Sequence, residues 1–142
     1  MSISFMSLFV SFGLWIAYSS DQTGQCEIYV QRFPDLGDRR PISTNGGAGA
    51  IWSPDGSTLF YLEGTRMMSV SIDYEPRFIA STPALVFDGM VGTGCRGRSY
   101  DLWPDGQRFL FAKSADFTEA PVDLVVVLNW FEELNRLAPP SE

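Results

Sequence analysis

Residues 52–61 read Trp52-Ser53-Pro54-Asp55-Gly56-Ser57-Thr58-Leu59-Phe60-Tyr61, a tight-turn sequence followed at once by an apolar run. Proline presets the backbone at the first corner of a type I turn, and an aspartate side chain accepts hydrogen bonds from nearby amides. Glycine takes the left-handed position that closes the turn. The stretch therefore predicts a turn leading into a β-strand, and its aspartate is interpreted as a turn cap rather than a catalytic acid or base.

The pattern of a glycine, an apolar run and an aromatic residue occurs three times. Its copies are residues 13–18, 56–61 and 106–111, whose glycines lie 43 and 50 residues apart. That spacing is close to the roughly 40–50 residue repeat of a four-stranded β-propeller blade. The second and third copies are introduced by a Pro-Asp-Gly turn that ends on their first glycine, and we interpret this turn as structural. Its residues are Ser53, Pro54, Asp55, Gly56, Pro104, Asp105 and Gly106.

Other apolar runs place the remaining strands. They are predicted at 26–30, 40–43, 50–52, 67–72, 84–87, 99–102 and 123–128. The predicted fold class is all-β, a partial β-propeller of about three four-stranded antiparallel blades in a single domain spanning residues 1–142. The expected blades are at about 10–46, 47–92 and 93–131. The first is expected to be incomplete, because residues 1–9 do not clearly supply its innermost strand.

The C-terminal part of the sequence has a different pattern. Asn129 is a good helix N-cap, Glu132 stands at the third helical position, and Pro139 ends the apolar periodicity. A short C-terminal helix over 130–137 is therefore predicted, packed against the last blade.

Composition excludes several classes of function. The chain has 17 acidic and 10 basic residues, a formal net charge of −7 and no histidine. Polyanions are repelled by such a chain, so no nucleic-acid partner is expected. Without histidine, the usual general base and the commonest metal ligand are missing. We predict no catalytic, cofactor-binding or metal site, and hence no enzyme activity in this chain.

Three further features have a structural and a functional interpretation. Cys26 and Cys95 match no metal-ligand spacing and are expected to be two separate buried thiols rather than a bridge. Residues 92–97 spell G-x-G-x-x-G, but a strand follows them, which favours a loop between blades over a dinucleotide site. Residues 1–20 are uncharged and apolar, yet serines interrupt them and no basic segment precedes them, which favours strands over a targeting segment or a membrane span.

The motifs Ser-Pro-Asp-Gly at 53–56 and Trp-Pro-Asp-Gly at 103–106, with the ending at 126–134, resemble TolB-like, WD-repeat-like bacterial β-propellers. The likeness is strongest to the propeller at the C-terminus of bacterial receptor-like serine/threonine protein kinases. The resemblance implies a periplasmic or extracytoplasmic location and work through protein contacts. None of the kinase motifs occurs in the sequence.

These observations favour a non-catalytic protein-interaction module, the C-terminal part of a TolB-like propeller. The expected partner is a protein or peptide, or a second copy that completes the ring, because propellers typically have about four to eight blades. The alternative is the accessory propeller of a larger enzyme, a serine/threonine kinase or a propeller-gated peptidase, without its catalytic domain. The first residues to consider for contact with a partner are the loop residues Arg96 and Arg98 and the Pro-Asp-Gly turns, although a structural role is favoured for each of them.

Overall fold

The structure is a computed structural model, and it describes residues 3–10, 14–92, 94–95 and 97–111. Side chains are described from Trp15 onwards. Within this part of the chain the fold is all-β, as predicted, and contains no helix. The predicted strand at 123–128 and the predicted helix at 130–137 lie outside the described residues.

The first sheet is a four-stranded antiparallel meander. Its strands, in chain order and in sheet order, are β1 (Ile3–Val10), β2 (Leu14–Ser20), β3 (Glu27–Arg32) and β4 (Arg40–Pro41). The expectation that residues 1–9 leave this sheet without its innermost strand is wrong, since β1 pairs with β2 over its length. Ser4 and Ser7 break the apolar run, but both pair with β2 because the backbone carries the ladder hydrogen bonds.

Counting the described residues, the second sheet has five strands and the third is a two-stranded hairpin. The strands of the second sheet are β5 (Ala48–Trp52), β6 (Thr58–Glu63), β7 (Arg66–Asp73), β8 (Ile79–Ala80) and β9 (Ala84–Asp88). They are antiparallel in the order β5-β6-β7-β8, and β9 also pairs with β7. The third sheet consists of β10 (Tyr100–Leu102) and β11 (Phe109–Phe111). All strands predicted from the sequence within the described residues have a counterpart here.

The first and second sheets pack face to face through alternate residues of their strands. On β6, Leu59 and Tyr61 belong to the apolar layer between these two sheets, and Val70 lies opposite Leu59 on β7. Burying one such large side chain stabilises the fold by about 1.5–3 kcal/mol. The buried members of this layer are Ala17, Ile28, Val30, Ile42, Ala50, Trp52, Leu59, Tyr61, Met68, Val70, Ile72 and Phe78.

The opposite face of the second sheet is covered by the third sheet. Leu62 and Met67, which pair across β6 and β7, pack there against Tyr100 of β10. Phe60 meets Phe109 of β11 edge to face, with ring centroids 5.0 Å apart. The second sheet is therefore apolar on both faces and lies between two other sheets.

A disulfide joins Cys26 to Cys95, with the Cα atoms 5.5 Å apart. The expectation of two separate thiols is therefore wrong. Cys26 directly precedes β3 of the first sheet, whereas Cys95 lies in the connection from β9 to β10. The two loops lie at the same end of neighbouring sheets, and a separation of 69 residues in the sequence does not reveal that proximity. The bond ties the first sheet to the segment that enters the third.

Replacement of both cysteines by serine should lower the free energy of unfolding by about 2–4 kcal/mol, because the unfolded chain regains the freedom of the closed loop. Urea denaturation followed by tryptophan fluorescence measures this loss. Wild-type protein treated with a reductant is the matched comparison and should unfold at the same midpoint as the double variant. An oxidised wild type no more stable than the double variant would contradict the pairing.

Candidate functional site

The first Pro-Asp-Gly turn joins β5 to β6 and is stabilised by hydrogen bonds among its own polar groups. The Asp55 carboxylate accepts hydrogen bonds from the hydroxyl of Ser53 at 2.5 Å and from the amide and hydroxyl of Ser57 at 3.0 and 2.8 Å. These bonds, that from Ser53 foremost, lower the pKa of Asp55 to about 2. Gly56 has a φ of 73° and donates its amide to the carbonyl of Ser53. This geometry supports a turn cap, as the sequence predicts.

The second turn joins β10 to β11 in the same way. Gly106 donates its amide to the carbonyl of Trp103 at 2.8 Å. Asp105 accepts from the Gln107 amide at 2.9 Å and from Arg108 at 2.7 Å, and these bonds, that from the amide foremost, lower its pKa. A Cβ on Gly106 would lie 3.1 Å from Cδ of Pro54. The two equivalent turns therefore lie side by side, at one end of consecutive sheets.

The candidate contact loop before β10 is held by its own hydrogen bonds. Arg98 donates through Nε to the carbonyl of Tyr100 at 2.9 Å and forms a 3.4 Å ion pair with Asp101. Arg96 lies outside the described residues. Within the described part of the 92–97 motif, the chain leads into strand β10 rather than a helix. Arg98 thus has a local structural role that the sequence pattern does not reveal.

Tyr100 anchors the third sheet on the second. Its hydroxyl donates a hydrogen bond to the carbonyl of Gly49 at 2.5 Å and lies 3.3 Å from that of Phe60. Burial raises the pKa of this phenol well above its ordinary value. The backbone of Gly97 also approaches Gly49, where a Cβ would lie 3.3 Å from the Gly97 carbonyl oxygen. The close contacts at Gly49 therefore fix the position of the third sheet on the second.

The outer face of the third sheet, formed by Asp101, Trp103, Arg108 and Leu110, is not covered by any of the residues that the structure describes. These residues share one face because Asp101 pairs with Leu110 and Trp103 bonds to Arg108 across the hairpin. Leu110 is 64% exposed and Trp103 43% exposed. The guanidinium of Arg108 lies 4.9 Å from the Trp103 ring centroid. Sequence reasoning missed this face, although strand alternation in 101–111 contains the signal.

The described part of the chain offers no cluster of side chains for binding a metal ion. No group of three or more cysteine, aspartate or glutamate side chains is gathered there in a way that could hold a metal ion. Nor does that part contain a helix long and apolar enough to cross a membrane. Among the described surfaces, the outer face of the third sheet is the candidate functional surface because it exposes Trp103 and Leu110.

Comparisons with protein-family models, with curated proteins and with solved structures found no match to this chain. The TolB-like resemblance accordingly rests on the motifs of the sequence, and any function has to be inferred from the chain's own surfaces.

Replacing Asp55 by asparagine should destabilise the protein near neutral pH, because the turn then loses its charge-assisted hydrogen bonds. The pKa of Asp55 is lowered from 3.8 to about 2 by folding, so its contribution is present above about pH 4 and is lost as the pH falls towards 2. Urea unfolding of wild type and D55N at several pH values measures the difference. The matched control is D35N, in an exposed loop; a D55N deficit that persists unchanged at pH 2 would contradict this role.

Proposed function

We propose that this chain is a non-catalytic protein-interaction module and that its stacked sheets are consecutive blades of a TolB-like β-propeller. Three antiparallel sheets that stack in chain order support this assignment. The adjacency of the two Pro-Asp-Gly turns, seen in the contact between Gly106 and Pro54, supports it further. In a radial repeat, equivalent turns of neighbouring blades lie next to each other at the same end.

The observation that carries the interaction function is the outer face of the third sheet. Blades of a propeller bury both faces against neighbours, yet in the part of the chain that the structure describes this face exposes Trp103 and Leu110. Tryptophan and arginine are enriched among residues that dominate binding energy at protein interfaces, and here Arg108 lies over Trp103. These features favour a protein partner. The simplest such partner is a second copy of this chain. With a net charge of −7, the chain does not favour nucleic acid.

The disulfide between Cys26 and Cys95 supports an extracytoplasmic location. Such bonds form and persist in oxidising compartments and are rare in the cytosol. A periplasmic or otherwise extracytoplasmic site of action is also what the TolB-like resemblance implies.

Light scattering on the purified chain tests the interaction function. The wild type should show a mass that rises with concentration from 15.8 kDa towards twice that value. L110D should weaken self-association by about tenfold or more, since a carboxylate then has to be desolvated in an apolar contact. L36D is the matched control, because Leu36 is 56% exposed in the loop between β3 and β4. A wild type that stays monomeric at every concentration, like L110D, would contradict self-association through this face.

A further inference from the structure

A groove lies between the first and second sheets, at the end that carries the Pro-Asp-Gly turns. It consists of two adjoining cavities of about 350 and 450 Å³ that share Arg40, Arg77 and Phe78. Arg32, at the end of β3, lines the smaller cavity. Three of the chain's ten basic residues therefore meet at one place in an acidic protein.

The positive charge in this groove is only partly compensated. Among the lining residues, Asp38 supplies the one carboxylate, and it is already paired with Arg40 at 2.9 Å. The Nε of Arg40 is shielded from solvent and has no hydrogen-bond partner in the described part of the chain. The side chains of Arg32 and Arg77 form no hydrogen bond or ion pair with the described residues. The groove thus has guanidinium donors in excess of acceptors.

Aromatic side chains give the groove a firm wall. The ring centroids of Trp15 and Phe78 are 4.4 Å apart, and those of Tyr74 and Phe78 are 6.0 Å apart. The Tyr74 hydroxyl donates a 2.7 Å hydrogen bond to the carbonyl of Gly56. Phe78 is only 5% exposed. Because these rings are already packed, the aromatic wall of the groove is preorganised, which lowers the cost of binding.

The larger cavity runs between two edge strands. It is lined by Arg40–Pro41 of β4 and by Ile79–Ala80 of β8. Within the described residues each of these strands pairs on one side only, β4 with β3 and β8 with β7. Ile79 is 46% exposed beside the charged groups. The groove therefore offers backbone hydrogen-bonding groups, an apolar contact and cationic donors to one extended ligand.

We infer that this groove binds an acidic, extended peptide segment of a partner protein, with a carboxylate between Arg32 and Arg77 and an apolar residue against Ile79. Guanidinium groups bind carboxylates through paired, charge-assisted hydrogen bonds. Extended peptides commonly add to exposed sheet edges. This inference rests on the proposed interaction function, because it names the class of a partner segment. It uses a different surface from the third sheet.

Isothermal titration calorimetry of the full chain with a blocked pentapeptide, Val-Glu-Leu-Glu-Ala, tests the inference. The glutamine version of the same peptide should bind about tenfold more weakly or worse, because it loses the charge-assisted bonds. R77Q and R32Q should each weaken binding of the glutamate peptide by about tenfold. R66Q is the matched control: it removes the same charge at the far end of β7, where Arg66 pairs with Glu63.

Equal binding of the two peptides, no binding of the glutamate peptide, or R77Q and R32Q behaving like R66Q would overturn the inference. A further titration uses inorganic phosphate. Phosphate binding with no binding of the peptide would also overturn the inference. Circular dichroism establishes that each variant is folded. L110D should titrate like the wild type, so failure of self-association and failure of this groove are separate results.

Discussion

The fold depends on burial of the second sheet on both faces. On β6, Leu59 and Tyr61 pack against the first sheet, whereas Phe60 and Leu62 pack towards the third. A strand that is apolar on both faces is stable only if another layer covers each face. The first and third sheets therefore have to stack on the second, and the order of the three layers follows from this strand.

Contacts between the sheets hold this stack at both ends. At one end, the disulfide of Cys26 and Cys95 ties the first sheet to the segment entering the third. At the other end, the Pro-Asp-Gly turns lie side by side, with Pro54 against Gly106. Both candidate binding surfaces lie at the margins of the stack. The stacked layers thus position the exposed side chains of both surfaces.

Much of the fold was predictable from the sequence because turn chemistry and strand alternation are local. Residues 52–61 contain the turn, the strand and its two apolar faces within ten positions. The disulfide was not predictable, since its cysteines come together only when two loops meet at one end of neighbouring sheets. The arginine groove was missed for the same reason: Arg40 lies in β4 of the first sheet, Arg77 lies in the loop between β7 and β8 of the second, and the two share no sequence pattern. The C-terminal helix and the propeller itself stay predictions.

Hydrogen exchange of the backbone amides tests the two-sided burial of the second sheet most directly. Amides of β6 pair with β5 on one side and β7 on the other under two apolar layers, so they should exchange only through global unfolding. Amides of the edge strands β8 and β9 should exchange by local opening and much sooner. If β6 exchanges as fast as β9, the second sheet is not the buried centre of the molecule, and this account of the fold is contradicted.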